Sequence, residues 1–231
     1  MNEEYLYESI ENENVKEFIN RIPKNIKKNC KLKKFEKGKI VVLKENSIEF
    51  IYIHCKGEMK VRNEFENGFV YDFSSIRPIS YIGAMEIMAN KSIYTSTLQV
   101  TQDSIILEMT KKDFINWIQN DQKLALDVLH FVSNKMFEES LKKGEVLAYP
   151  ALGILINYLI DIFQSENKKE VMLKKTREEI ASTLGFSVRT INRNLKILKE
   201  EDLILVDRKG IFITENQCEK LYKKLDTIKN K

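Results

Sequence analysis

Cysteine is scarce in this 231-residue chain: Cys30, Cys55 and Cys218 are odd in number, far apart, and form no CxxC pair. Such a set excludes a disulfide framework and a structural zinc site, so three reduced thiols are expected. Histidine is scarcer still. His54 and His130 are the only two, on different expected elements, and no His-x-His or Ser-His-Asp grouping exists for a metal enzyme or a triad hydrolase. No apolar run of about 18 residues and no charged-then-apolar leader occurs, so the chain is expected neither to span a membrane nor to be exported, and a cytoplasmic location follows. No internal repeat or long low-complexity segment is present, and prolines number three. One of them, Pro150, follows Ala148-Tyr149 and cannot continue a helix, which makes it the expected domain boundary and hinge.

The net charge of +4 is small but unevenly spread. Residues 151–231 carry 16 Lys and Arg against 12 Asp and Glu, whereas residues 1–150 carry 22 of each sign. A polyanion partner for the carboxyl-terminal part is the expectation.

Residues 1–30 read as a polar helical cap, with Val15, Phe18, Ile19 and Ile22 at helical spacing until Pro23. Between residues 32 and 109, short β-rich runs (40–43, 50–54, 58–61, 69–73, 96–100, 104–107) alternate with turns, the spacing of a small antiparallel barrel or jelly roll. Helical periodicity resumes at 111–118 and in a longer segment from 121 to about 147. There Ala125, Leu129, Val132, Met136, Glu139, Lys143 and Val146 follow alternating steps of four and three, a heptad seam. A second apolar side of Leu124, Val128 and Phe131 would cover the barrel, so a parallel homodimer through the seam is expected. The fold class read from the chain is α+β: a sensing barrel at 1–120, a dimerisation helix and hinge at 121–149, and a winged helix-turn-helix at 150–231.

The segment 176–198 is the most informative. Thr176 and Glu179 form a capping box ahead of Ile180, Ala181 and Leu184; Gly185 ends that helix; Ser187 caps a second whose buried side is Ile191, Leu195 and Leu198. Val188, Arg189, Asn192 and Arg193 then face away from the core. Two apolar runs, 203–206 and 211–213, flank Asp207-Arg-Lys-Gly210 and read as a hairpin wing. A helical hairpin with a solvated charged face is the bland alternative. The wing argues for double-stranded DNA, with Thr176, Ser187, Thr190 and Lys196 placed for phosphates.

The order of barrel, long helix, hinge and winged helix, with Lys37-Gly38, Ile53-His-Cys-Lys-Gly57, Gly83 and the motif at 177–198, resembles the CRP/FNR superfamily of bacterial transcription regulators. The resemblance implies a homodimer on a palindromic operator, RNA polymerase as a partner, and an effector pocket drawn from Gly83, Ala84, Met85, Tyr94, Thr95, His130 and Met136. The family's nucleotide binders hold cyclic AMP with Gly-Glu and Arg-Ser or Arg-Thr. Ala84 stands here for the glutamate and Tyr94-Thr95 for the arginine pair, while Glu139 takes the place of an adenine-contacting threonine, so cyclic AMP is not expected. Only Cys30 lies where iron–sulfur members place their cysteines, which excludes that cluster. Haem-binding members, including those controlling hybrid-cluster-protein genes in nitrosative stress, stay open, with Met85, Met88, His54, His130 and Met136 as soft or imidazole groups. Core packing is the alternative for each. By the same resemblance Val188, Arg189, Asn192 and Arg193 occupy the base-facing positions, Arg193 matches a guanine-contacting arginine, and Arg189 replaces the family's usual glutamate. A cupin-like metal enzyme and a winged-helix protein-interaction module are the competing functions.

Overall fold

A computed structural model describes residues 3–64 and 70–230. They form two compact units, residues 3–64 with 72–137, and residues 70–71 with 138–230.

The first unit opens with helices α1 (Glu3–Glu8), α2 (Glu13–Arg21) and α3 (Lys24–Lys27). Asn12 caps α2 by accepting from the Asn14 amide, and Val15, Phe18 and Ile19 are buried at the expected spacing. Six strands follow: β1 (Lys31–Phe35), β2 (Ile40–Val42), β3 (Phe50–Glu64), β4 (Val70–Ile76), β5 (Ser80–Ile82) and β6 (Thr97–Thr110). Phe69, expected to begin the fourth run, lies outside the described residues.

The expected barrel is not closed. The sheet runs in the order β1-β6-β3-β4, with β2 also on β6 and β5 also on β3. The physical reason lies in β3 and β6. Each fuses two of the expected short runs into one strand of 15 or 14 residues, and each serves different partners along its length. The sheet therefore widens by doubling along two long strands, and among the described residues β1 and β4 remain edges. The join in β3 is a register shift around Lys56 to Met59, where the sequence suggested a turn. Gly57 sits in it at φ +94°, and a Cβ there would overlap the Asp103 carbonyl oxygen and Ser104 Oγ, so only glycine fits.

Helix α4 (Ala84–Met88) follows β5, and α5 (Lys111–Asn120) and α6 (Gln122–Ala148) follow β6. Asp121 joins the last two by accepting from Trp117 Nε1 at 2.9 Å and from the Leu124 amide at 2.8 Å. Leu124 and Val128 pack into the core of the unit, as expected. The same helix continues past Phe137 into the second unit.

The second unit contains α7 (Ala151–Glu166), started by Pro150, then β7 (Glu170–Leu173), α8 (Arg177–Leu184), α9 (Val188–Glu200), β8 (Leu205–Val206), β9 (Ile211–Thr214) and α10 (Glu215–Lys229). Its core joins Leu155, Ile156 and Leu159 of α7 to Ile180, Ile191, Leu195, Leu198, Ile211 and Leu221. The wing is a three-stranded sheet, β7-β9-β8. β7 is a strand absent from the runs expected from the sequence. No described helix is long and apolar enough to cross a membrane.

Candidate nucleic-acid interface and sensor cassette

Helices α8 and α9 are fixed from both ends by short polar contacts. Thr176 Oγ1 accepts from the Glu179 amide at 3.1 Å, and Glu179 Oε2 accepts from the Thr176 amide at 2.7 Å, completing the capping box. Gly185 turns the chain at φ +73°, and the Phe186 amide donates to the Ala181 carbonyl at 3.1 Å. Ser187 Oγ accepts from the Thr190 amide at 3.1 Å and lies 2.9 Å from Thr190 Oγ1. Capping consumes lone pairs rather than hydroxyl protons, so Thr176 retains its O–H for a phosphate oxygen, while Ser187 and Thr190 share a hydrogen bond and one O–H remains between them.

On α9, Ile191, Asn194, Leu195 and Leu198 are buried. Arg189, Asn192, Arg193 and Lys196 are exposed; Val188 is half-buried against the core, at the edge of the outward face. Among the described residues neither Arg189 nor Arg193 has a carboxylate partner, whereas Lys196 Nζ lies 3.7 Å from Glu200. Two guanidiniums four residues apart on an unobstructed face are suited to bidentate acceptors. The wing tip adds exposed Arg208 and Lys209, on a turn in which Asp207 Oδ1 accepts from the Lys209 and Gly210 amides. The sequence reading missed the third wing strand; the alternation of buried Val171 and Leu173 within it is the signal that would have found it.

In the first unit, Gly83 holds φ +89° ahead of α4, and Ala84 is fully buried. Tyr94 is buried, and its hydroxyl donates to the Phe50 carbonyl at 2.7 Å. Thr95 donates from its amide and its hydroxyl to Glu86 Oε1, at 3.1 and 2.7 Å. Met85, by contrast, is exposed, as are His130 and Met136 on α6. Of the expected pocket residues, Gly83, Ala84 and Tyr94 are buried and exposed Thr95 is tied to Glu86 beside them, whereas Met85, His130 and Met136 are exposed. His130 lines a separate groove of about 410 Å³ with Phe18, Arg21, Tyr81 and Phe131. His54 is fully buried in β3 with Nε2 2.9 Å from the Lys56 carbonyl, and Met88 is exposed. Among the described residues, His130 is the one of the five groups considered as iron ligands that lines this groove.

The seam expected on α6 is also divided. Leu129, Met136 and Glu139 are exposed, Ala125 is half-buried, and Val132 packs on its own core. Leu126, Phe137 and Leu141 are large exposed apolar residues that the heptad reading missed. The side chains of Lys143 and Val146 lie outside the described residues.

The profile of the Crp-like helix-turn-helix domain matches residues 155–223, and that of the cyclic nucleotide-binding domain matches residues 32–121. The chain belongs to the CRP/FNR family of transcription regulators. Among CRP/FNR relatives, the cAMP-activated global transcriptional regulator CRP of Salmonella typhimurium is 20% identical over 188 residues, covering 80% of this chain and 90% of that protein. The global nitrogen regulator of Synechococcus elongatus is 23% identical over 195 residues, covering 79% and 85%. The solved structure of the c-di-GMP responsive global regulator CLP of Xanthomonas campestris shares the fold, with a TM-score of 0.69 and 14% identity over 88% of this chain and 99% of that one. This CRP/FNR chain is a DNA-binding regulator and not an enzyme, which removes the cupin-like reading.

Proposed function

We propose that the protein acts as a homodimer that places two copies of α9 in successive major grooves of a palindromic operator, about 34 Å apart, and meets RNA polymerase at the promoter. The observation that carries this is the pair Arg189 and Arg193, exposed and free of carboxylate partners among the described residues, on a helix capped by Ser187. Val188, Arg189, Asn192 and Arg193 read base edges; Thr176, Ser187, Thr190 and Lys196 hold phosphates. A guanidinium at position 189 cannot accept from cytosine as the family's usual glutamate does, so the half-site departs from the family's common TGA-containing core. Cyclic AMP is not the effector in this reading, because Tyr94 and Ala84 replace the groups its phosphate and ribose need. Haem is left out as well, since among the described residues His54 is buried within β3, and His130 lines a groove in which none of Met85, Met88 and Met136 takes part.

Selection from random duplexes followed by footprinting tests this. An inverted repeat with half-sites one helical turn apart and no TGA core is the expected result. Recovery of the TGA core would overturn the assignment of Arg189, and the absence of any protected sequence would favour a winged helix that contacts protein.

A further inference from the structure

The position at which a CRP/FNR nucleotide would be held is filled by the chain's own side chains. Tyr94 is 5% exposed, and a Cβ built on Gly83 would lie 3.2 Å from its Cε1 and 3.1 Å from Ile51 Cδ1. The ring is therefore packed directly on the Gly83 turn. Its polar end is closed by the bond from the hydroxyl to the Phe50 carbonyl at 2.7 Å. The backbone around it is fastened too: the Tyr94 amide donates to the Asn46 carbonyl at 3.0 Å, the Glu45 amide donates to the Tyr94 carbonyl at 2.8 Å, and Ser47 bridges to Ile93. Beside it, Glu86 is 8% exposed and takes both donors of Thr95. A cyclic phosphate brought here would have to displace a buried phenol that stands where it needs a guanidinium, and would lie beside the Glu86 carboxylate.

We propose that Tyr94 is a built-in ligand: its ring occupies the cassette, holds α4 and the 92–95 segment in one conformation, and makes the sensor unit indifferent to cyclic nucleotides, so that operator binding needs none. Only the operator arm of the following test rests on the regulator reading above. Replacing a large buried ring by alanine leaves a cavity, and an apolar cavity of that kind takes up small aromatic molecules.

Wild type, Tyr94→Ala and Tyr94→Phe are compared by thermal unfolding with cyclic AMP, cyclic GMP or p-cresol, and by fluorescence anisotropy on the selected operator. Wild-type melting should not move with about 1 mM of either nucleotide, and operator affinity should stay within about twofold. Tyr94→Ala should melt on the order of 10 °C lower, and p-cresol should restore about half of that or more. Tyr94→Phe, which keeps the ring, should ignore p-cresol. If Tyr94→Ala does not fold, the smaller truncation Tyr94→Leu takes its place in the p-cresol arm. A nucleotide-induced rise in wild-type melting, operator binding that appears only with nucleotide, or a truncated variant unresponsive to p-cresol would overturn the proposal. Should no operator exist, the DNA reading fails while the melting arms still decide the fate of the built-in ligand.

Discussion

At the scale of single residues, burial creates two liabilities that can be measured. His54 is fully buried in β3, donates from Nε2 to the Lys56 carbonyl, and has a buried Nδ1 with no hydrogen-bond partner. Burial pushes its pKa down from 6.5 to about 4. The folded state thus refuses a proton that the unfolded chain accepts. The contribution is fully present above pH 6.5 and is lost as pH falls towards 4, by about 3 kcal/mol over that window. Urea midpoints across this range should fall in wild type, and His54→Gln, which cannot titrate, should show a shallower decline; equal slopes would mean that His54 is not the group responsible. Asn194 presents the second liability. It is 3% exposed on the inner face of α9, and its Nδ2 has no partner among the described residues. An unsatisfied buried amide costs about 1–3 kcal/mol, so Asn194→Leu should raise the melting temperature by several degrees with operator affinity unchanged. A lower melting temperature would show that the amide has a partner or that leucine does not fit.

At the scale of elements, what could be read from the chain divides by how local its cause is. The capping residues Thr176 and Ser187 act within three positions of themselves, and α8 and α9 begin where those residues place them. The 3.6-residue period likewise separated Arg189, Asn192 and Arg193 from Ile191, Leu195 and Leu198, though it could not show that Val188, at the border of the two faces, leans on the core. β7 escaped notice because four residues carry little pattern and its partner, β9, lies some forty positions on, with Val171 opposite Ile213. The open sheet was missed for the same reason: whether edge strands meet is a long-range matter, and Gly57 gave no local sign that it marks a bulge rather than a turn. Tyr94 was legible as a substitution but its packing on Gly83 was not. Within α9, the two cation types should separate experimentally. Lys196→Ala should weaken binding to all sequences and flatten the dependence of log K on log salt by roughly one unit. Arg193→Ala should instead relax choice at one base pair, reducing discrimination by about 1–3 kcal/mol. Identical effects of the two substitutions in a competition assay would contradict the division into phosphate and base contacts.

At the scale of the whole molecule, what covers the exposed apolar face of α6 decides whether two recognition helices act together. The helix has apolar residues on more than one side, which is why periodicity alone drew the seam through Ala125 and Val132. Folding takes Leu124, Val128, Phe131 and Val132 for the core of the unit and leaves Leu126 at 54%, Leu129 at 57%, Met136 at 67% and Phe137 at 66% exposure. Spaced by three, seven and one, these four form a stripe close to a coiled-coil face, displaced from the expected seam towards Leu126 and Phe137. Large apolar side chains at such exposure contribute about 1.5–3 kcal/mol each when fully covered, so a matched pair of stripes can supply the driving force for association. Leu129→Glu combined with Phe137→Glu should therefore yield a folded monomer in sedimentation experiments at micromolar concentration, with operator affinity lost because each half-site is then bound alone. Val132→Glu should behave differently, lowering the melting temperature by burying a charge in the unit's own core. A wild-type protein that sediments as a monomer, or a double variant that remains dimeric, would place the dimer contact elsewhere or remove it altogether.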